Sequence, residues 1–140
     1  MSPKISKELV MHRIEQSKNE LNDAKLLYNN RSYLSANNRA YYSIFHAIRA
    51  VLALEPIDFK KHKDVLAYFN KNYVSTEVFP KTIGKRIIQA NRIREDSDYD
   101  DEYLASAEAT EAQIKTAEEL IGLVEKYIED EDHFKGSRSV

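Results

Sequence analysis

The sequence predicts an all-α protein, an up-and-down bundle of four to five helices. Only three glycines and three prolines interrupt its 140 residues, which favours helices with few breaks. Apolar residues recur at three- and four-residue spacing along most of the chain, and no stretch keeps the strict alternation of a half-buried strand. A chain of this length with 42% hydrophobic residues is expected to form one domain with a substantial core.

The first half of the chain predicts a helical hairpin. Apolar residues at helical spacing indicate a long amphipathic helix over about 5–29, and the polar residues that follow predict a turn at 29–32. A second helix is expected over about 33–54. It should end before Pro56, because the residue that precedes a proline is pushed out of the α region.

The second half predicts three further helices. A shorter helix is expected over 62–73, and a fourth from Pro80 to about residue 94, since proline suits the first turn of a helix. The acidic stretch 95–101 predicts a solvated loop that carries N-cap candidates. A last long helix is expected over about 101–129.

One bundle should therefore span residues 1–129. The charged and glycine-containing segment 130–140 is interpreted as a disordered tail.

The composition argues against several classes of protein, among them strongly basic nucleic-acid binders, metalloproteins and membrane proteins. The net charge is −2 and the pI about 6.1, so no global basic field would recruit nucleic acid. The chain has no cysteine and no matched His and acidic cluster, so we expect no metal site and no cofactor. It has no leader-like apolar segment and no run of about 18 apolar residues, which predicts a cytoplasmic protein without a membrane span.

The second helix is unusual because it combines core composition with polar chemistry. Arg39 and His46 lie seven residues apart, which returns them to one face with a drift of about 20°. Tyr42 and Ser43 lie between them on or near that face. An arginine fork can neutralise a phosphate, and a histidine can move a proton near neutral pH. These residues are candidates for metal-free RNA cleavage with the 2′-hydroxyl of the substrate as nucleophile.

The seven-residue spacing of Arg39 and His46 does not require catalysis, and the helix can also be interpreted as part of an interface or of the core. Seven residues span about 10 Å of helix axis, so a phosphate between the two side chains, or a second copy of the motif across a dimer axis, is needed to close the gap. A tyrosine-rich helix with one histidine is also typical of a core or an interface. A purely structural bundle predicts that His46 is fully buried and bonded only to protein groups.

Four segments together resemble a known family. They are Asn-Arg-Ala-Tyr-Tyr-Ser-Ile-Phe-His-Ala at 38–47, His-Lys at 62–63, Phe-Pro-Lys at 79–81 and Arg-Ile-Arg-Glu-Asp-Ser-Asp-Tyr at 92–99. Over about residues 5–128 the chain resembles the HEPN superfamily, and within it the small prokaryotic group catalogued as uncharacterised protein family 0332.

The resemblance implies a helical bundle that is often a homodimer. It also implies pairing with a minimal nucleotidyltransferase in a toxin–antitoxin module. Many members are metal-independent ribonucleases that use an arginine followed by a histidine, and Arg39 and His46 match that motif as R-x6-H. Asn38 is the polar neighbour of Arg39 and, with Tyr42 and Ser43, is expected to support the pair.

A basic group near the fourth helix offers a second candidate surface. Its members, with a tyrosine suited to stacking on a base, are Lys85, Arg86, Arg92, Arg94 and Tyr99. They are interpreted either as a strip that binds an RNA or nucleotide backbone or as a solvated face in which Arg94 pairs with a neighbouring aspartate and Tyr99 covers the bundle end.

The leading hypothesis is that the protein is the RNA-targeting, toxin-like endoribonuclease of a pair with a nucleotidyltransferase. The alternative is a non-catalytic module that binds a nucleotide or scaffolds the nucleotidyltransferase.

Overall fold

The structure is a computed structural model that describes residues 7–55, 57–99 and 104–130. Within these residues it contains five α-helices and no strand, which confirms the predicted all-α fold. The helices are α1 (Lys7–Asn29), α2 (Tyr33–Leu52), α3 (His62–Phe69), α4 (Lys81–Tyr99) and α5 (Ala107–Asp130). A π-helical turn, Asn70–Val74, continues α3.

Helix α2 lies at the centre of the bundle. It packs against α1, α5, α3 and α4. Four of its buried positions are alanines, which allow neighbouring helices to approach closely: Ala36, Ala40, Ala47 and Ala50. Larger side chains such as Ile44 and Ile48 fill the space between the helices. The buried hydrophobic residues of the described helices form one core.

The α1–α2 connection is a tight turn that folds α2 back along α1. The Ser32 N–H donates to the Leu27 carbonyl and the Arg31 N–H to the Tyr28 carbonyl, both at 2.9 Å. These two bonds form a Schellman motif, which satisfies the last carbonyls of a helix. Arg31 takes the left-handed conformation that this motif requires, with φ 63°. The predicted turn at 29–32 is therefore confirmed.

The predicted boundaries around the acidic stretch are wrong. Residues 95–99 continue α4, whereas the sequence predicted a loop from residue 95. Ser97 Oγ donates to the Arg94 carbonyl at 2.8 Å and to Asn38 Oδ1 on α2 at 3.4 Å. The first bond lies within α4. The second joins the last turn of α4 to α2, and because it is tertiary, local sequence did not reveal it.

Helix α5 starts at Ala107, later than the predicted start near residue 101. The Ala109 N–H donates to Ser106 Oγ at 3.0 Å, so Ser106 is the N-cap. The predicted third helix is also shorter, because its last turn widens into the π-helical segment.

The chain ends can be compared only in part. Residues 1–6, which include the predicted start of the first helix, lie outside the described residues. Asp130 is the last residue of α5, and the rest of the predicted tail, 131–140, also lies outside them.

A glycine sets the distance between α4 and the π-helical turn. A Cβ on Gly84 would lie 2.5 Å from Val74 Cγ1, whereas a Cβ on Gly122 in α5 would meet nothing within 4 Å. We expect Gly84→Ala to lower the free energy of unfolding by about 1–3 kcal/mol through overpacking. Gly122→Ala should raise it by about 0.5–1 kcal/mol, because alanine restricts the unfolded chain. Urea unfolding followed by circular dichroism measures both, and effects of the same sign would contradict this packing.

Candidate functional site

The candidate site lies on the one stripe of α2 that its neighbours leave uncovered. From Ala36 to Leu52 all residues of α2 are buried except five, and these follow each other at helical spacing: Asn38, Arg39, Tyr42, His46 and Arg49. Four of the five are residues that the sequence analysis assigned to the site. The structure therefore brings Asn38, Arg39, Tyr42 and His46 together on one surface.

Ser43 lies on the other side of α2, where it is buried. Its hydroxyl donates to the Ser17 carbonyl at 2.8 Å, and the Ser17 hydroxyl donates to the Ser43 carbonyl at 2.6 Å. This reciprocal pair joins α1 to α2 and satisfies buried polar groups. The placement gives Ser43 a packing role between two helices, and it does not support the predicted role beside Arg39 and His46.

Arg39 is exposed and held by an acidic residue of α1. Its guanidinium donates to Glu20 Oε1 at 3.0 Å, and its side chain is 52% exposed. Glu20 is largely covered, with 17% of its side chain exposed, but the guanidinium is open to solvent. Solvent weakens such an ion pair, so an incoming phosphate can compete for the guanidinium. The described hydrogen bonds include none between Arg39 and His46, as the spacing of the two residues predicted.

His46 is half-buried beside two aromatic rings. Its ring centroid lies 6.5 Å from that of Tyr42 and 5.9 Å from that of Phe45. Its Nδ1 atom is buried and has no hydrogen-bond partner among the described residues. A histidine used only for structure was expected to be fully buried and bonded to protein groups, and His46 does not fit that description.

The surroundings of His46 favour its neutral form. Burial lowers the pKa of its imidazole to about 4, and the positive charges of Arg49 and Arg13 act in the same direction. An imidazole with this pKa is unprotonated at neutral pH. It can therefore accept a proton from a substrate, which is the first requirement of a general base.

An ion-pair cluster behind His46 holds those two arginines. Asp58, in the loop before α3, pairs with Arg49 at 2.9 Å and with Arg13 at 3.5 Å. Arg13 also donates to the Arg49 carbonyl at 3.0 Å. Arg13 is buried, and burial is the largest cause that lowers its pKa. The cluster joins α1, α2 and the loop, and places two guanidinium groups near His46.

Sequence reasoning missed Arg13. The available signal was its position on α1: Val10, Arg13, Ile14 and Ser17 share one face, and all four are buried. An arginine on an apolar face needs a partner, but the sequence does not say that Asp58 is that partner.

A second histidine enters the site from α3. His62 is the first residue of that helix, and its ring lies 4.0 Å from Phe45 and 5.8 Å from Tyr42, centroid to centroid. Its Nδ1 lies 3.4 Å from the hydroxyl of Tyr41. The Arg94 guanidinium stacks on the Tyr41 ring at 5.0 Å. From the sequence, His62 was part of a resembling segment and a possible extension of the basic surface near α4, with no role beside His46.

The basic residues of α4 do not form one strip. Lys85 and Arg92 are seven residues apart and share a face, whereas Arg94 points to nearly the opposite side of the helix. Arg86 faces α5, where its Nε donates to Thr116 at 3.0 Å and its guanidinium pairs with Glu119.

Of the five predicted RNA-contacting residues, Arg94 is the one that the structure connects to the α2 site. Tyr99 is the last residue of α4, and its side chain lies outside the described part of the structure.

The described ranges contain neither a metal site nor a membrane-spanning helix. No group of three or more His, Asp or Glu side chains is arranged to hold a metal ion there. None of the helices in these ranges has the length and hydropathy needed to cross a bilayer.

Comparison with known proteins identifies one matching family and several similar proteins. A family model described as the HEPN domain matches residues 10–127. The "UPF0332 protein" of Thermotoga maritima is 37% identical over 110 residues, which cover 79% of this chain and 83% of that protein.

Two proteins of Methanocaldococcus jannaschii are also similar. "Putative toxin MJ0142" is 29% identical over 123 residues, or 88% of this chain and 84% of that protein. "Putative toxin MJ0605" is 30% identical over 124 residues, or 89% and 92%. The similarity thus spans most of each chain.

The lowered pKa of His46 can be measured directly. We expect its imidazole to titrate at about pH 4 in a two-dimensional NMR titration of the free protein. Arg49→Gln should raise that pKa, because it removes the positive charge that lowers it most. Arg92→Gln removes an exposed charge that does not act on His46 and is the matched control. An imidazole that titrates near 6.5 in the wild type would contradict this description.

The lowered pKa of His46 also predicts that the free energy of unfolding falls in acid. Between pH 6.5 and about 4 the unfolded chain binds a proton at His46 and the folded chain does not, so this residue destabilises the fold as the pH falls. A pKa lowered from 6.5 to about 4 corresponds to about 3.4 kcal/mol. Because solvent screens the half-buried imidazole, we expect the wild type to lose roughly 2 kcal/mol more unfolding free energy than His46→Gln over this window. Urea unfolding at several pH values tests this, and parallel losses in both proteins would refute it.

Proposed function

The chain belongs to the HEPN domain family, and on that premise we propose that it is a toxin-like endoribonuclease that cleaves RNA without a metal ion. One observation carries the proposal. The uncovered stripe of α2 presents an arginine, a tyrosine and a half-buried histidine together, on a helix that is otherwise buried. The two similar proteins that are named as toxins support the toxin-like part of the proposal.

The proposed reaction uses the 2′-hydroxyl of the RNA as nucleophile. His46 is neutral in the free protein and accepts the proton of that hydroxyl. The oxygen then attacks the adjacent phosphorus, and a 2′,3′-cyclic phosphate forms as the bond to the 5′-oxygen breaks. Arg39 exchanges Glu20 for the scissile phosphate and stabilises the charge that develops on it.

Tyr42 and Asn38 are proposed to support this pair. The Tyr42 ring lies between Arg39 and His46 on the stripe and packs against the imidazole, so it limits the positions that His46 can take. Asn38 precedes Arg39 and accepts a hydrogen bond from Ser97 of α4. Arg94 adds positive charge at the same end of the site, while Lys85 and Arg92 would contact only RNA that extends around α4.

We further propose that the protein acts as a homodimer and pairs with a minimal nucleotidyltransferase. The separation of Arg39 and His46 along α2 leaves room for a phosphate between them or for the same stripe of a second copy. Leu34 is exposed one turn before Asn38 on the same side of α2. An apolar residue beside this polar stripe suits a protein interface.

That apolar neighbour also favours one alternative function. In it the stripe is a non-catalytic contact surface that holds the dimer or the nucleotidyltransferase, with or without a bound nucleotide. The alternative predicts that Arg39→Ala and His46→Ala weaken association while the wild type has no cleavage activity.

The deciding measurement is RNA cleavage in the presence of EDTA. Wild type should cleave a mixed tRNA and mRNA pool and leave 2′,3′-cyclic phosphate ends. Arg39→Ala and His46→Ala should each reduce the rate by about 100-fold or more, because each removes a group that acts in the transition state. Circular dichroism checks that both variants are folded.

Two control variants separate chemistry from packing. Glu20→Ala breaks the same ion pair as Arg39→Ala but leaves the guanidinium in place, so it should retain activity. His12→Ala removes an exposed histidine from α1 and should retain activity as well. If the folded wild type leaves RNA intact, the proposed function is refuted and the contact-surface alternative takes its place.

A further inference from the structure

We propose that His62 is a second catalytic residue, which donates a proton to the 5′-oxygen as it leaves the phosphorus. This inference rests on the proposed ribonuclease function and extends it. It assigns the two proton transfers of the reaction to two histidines on different helices. His46 on α2 takes the proton of the 2′-hydroxyl, and His62 on α3 supplies the proton of the leaving group.

The first support is the shared surroundings of the two imidazoles. Both rings contact Tyr42, with centroid distances of 6.5 Å for His46 and 5.8 Å for His62. Both also contact Phe45, at 5.9 Å and 4.0 Å. The two histidines therefore border the same pair of aromatic rings, and the proposal places one phosphodiester over Tyr42, next to both.

The second support is the contact that orients His62. The Tyr41 hydroxyl lies 3.4 Å from Nδ1, on the buried side of the imidazole. The described hydrogen bonds include none at Nε2, which is left for a ligand. A tyrosine hydroxyl can both donate and accept a hydrogen bond. It can therefore partner the neutral imidazole and the imidazolium in turn, as a proton donor requires.

The reaction itself requires a second proton-transfer group. When the bond between phosphorus and the 5′-oxygen breaks, the electron pair stays on that oxygen, and an alkoxide is a poor leaving group unless it is protonated. After His46 has taken one proton and His62 has given one, the two groups exchange protons with solvent and the cycle is restored. No metal ion or other reactant is needed for this balance.

The charges around His62 set the pH at which it can act. It faces Arg49, Tyr41, Tyr42 and His46 from α2 and Arg94 from α4, and its own positive charge lowers the pKa of His46. Burial lowers the pKa of His62, and the charges of Arg94 and Arg49 lower it further. His62 must be protonated and His46 neutral, so kcat/KM should be greatest above the pKa of His46, about 4, and should fall again below pH 6.5, because the pKa of His62 is lowered from its usual value.

A substrate with a better leaving group tests the role of His62. We would compare an ordinary RNA dinucleotide with the same dinucleotide carrying sulfur in place of the bridging 5′-oxygen. A thiolate leaves without protonation, so this substrate does not need the acid. His62→Gln should lower kcat on the ordinary RNA by about 100-fold or more but change cleavage of the sulfur substrate by less than about threefold.

Three variants complete the experiment. His46→Gln should slow both substrates, because both need the 2′-hydroxyl proton removed. His12→Gln is the same substitution at an exposed histidine of α1. The charge of His12 has the smallest of the effects that lower the pKa of His46, so this variant should slow neither substrate. Tyr41→Phe keeps the buried ring and removes only the hydroxyl, so it should slow the ordinary RNA selectively. Tyr41→Phe serves as the test of His62 if His62→Gln fails to fold.

The outcomes distinguish the proposed ribonuclease function from the proposed role of His62. If wild type cleaves neither substrate, the ribonuclease function itself is refuted. If wild type cleaves both, and His62→Gln and Tyr41→Phe slow both equally or slow neither, the ribonuclease function stands and the proposed role of His62 is overturned. Selective loss on the ordinary RNA, with loss of the alkaline limb of the pH profile, supports the proposal.

Discussion

The packing of α2 on nearly all sides is the constraint on which the rest of the structure depends. Its alanines allow α1 and α5 to approach closely, while α3 and α4 cover further parts of it. A helix enclosed in this way must place each polar side chain either on the one stripe that stays open or against a partner on another helix, as Ser43 does with Ser17, because an unpartnered buried polar group costs about 1–3 kcal/mol. Arg39, Tyr42, His46 and Arg49 occupy that stripe. The position of the candidate site is thus a consequence of how the core is built.

The same packing determines the electrostatics of the site. Arg13 is buried on α1 and needs a counter-charge, and Asp58 provides one while it also holds Arg49. The two arginines stabilise the neutral form of the half-buried His46. A neutral base amid fixed positive charges is suited to an anionic substrate, because the cations that lower the pKa of the imidazole also attract a phosphate. The arginines that join the helices through Asp58 are therefore the same residues that keep His46 neutral.

The sequence anticipated some of these features and missed others for identifiable reasons. The helical class, the first turn and the common face of Arg39 and His46 follow from spacing, which is a local property. Ser43 was assigned to that face because it lies four residues after Arg39, yet it points toward Ser17 on α1. The acidic stretch after Arg94 was interpreted as a loop, but contacts with α2 keep 95–99 helical. In both cases a neighbour distant in the chain decided the outcome.

By itself, the sequence determined that the chain is a helical bundle, where most helices lie, and that Arg39 and His46 share a stripe. These conclusions rest on helical periodicity and on residue types, which act over a few residues. Only the tertiary structure decided which side of α2 stays open, that Arg13 and Asp58 stand behind His46, and that His62 joins the site from α3. Those facts depend on which helix faces overlap when the core closes, and burial of that kind is set by segments far apart in the chain.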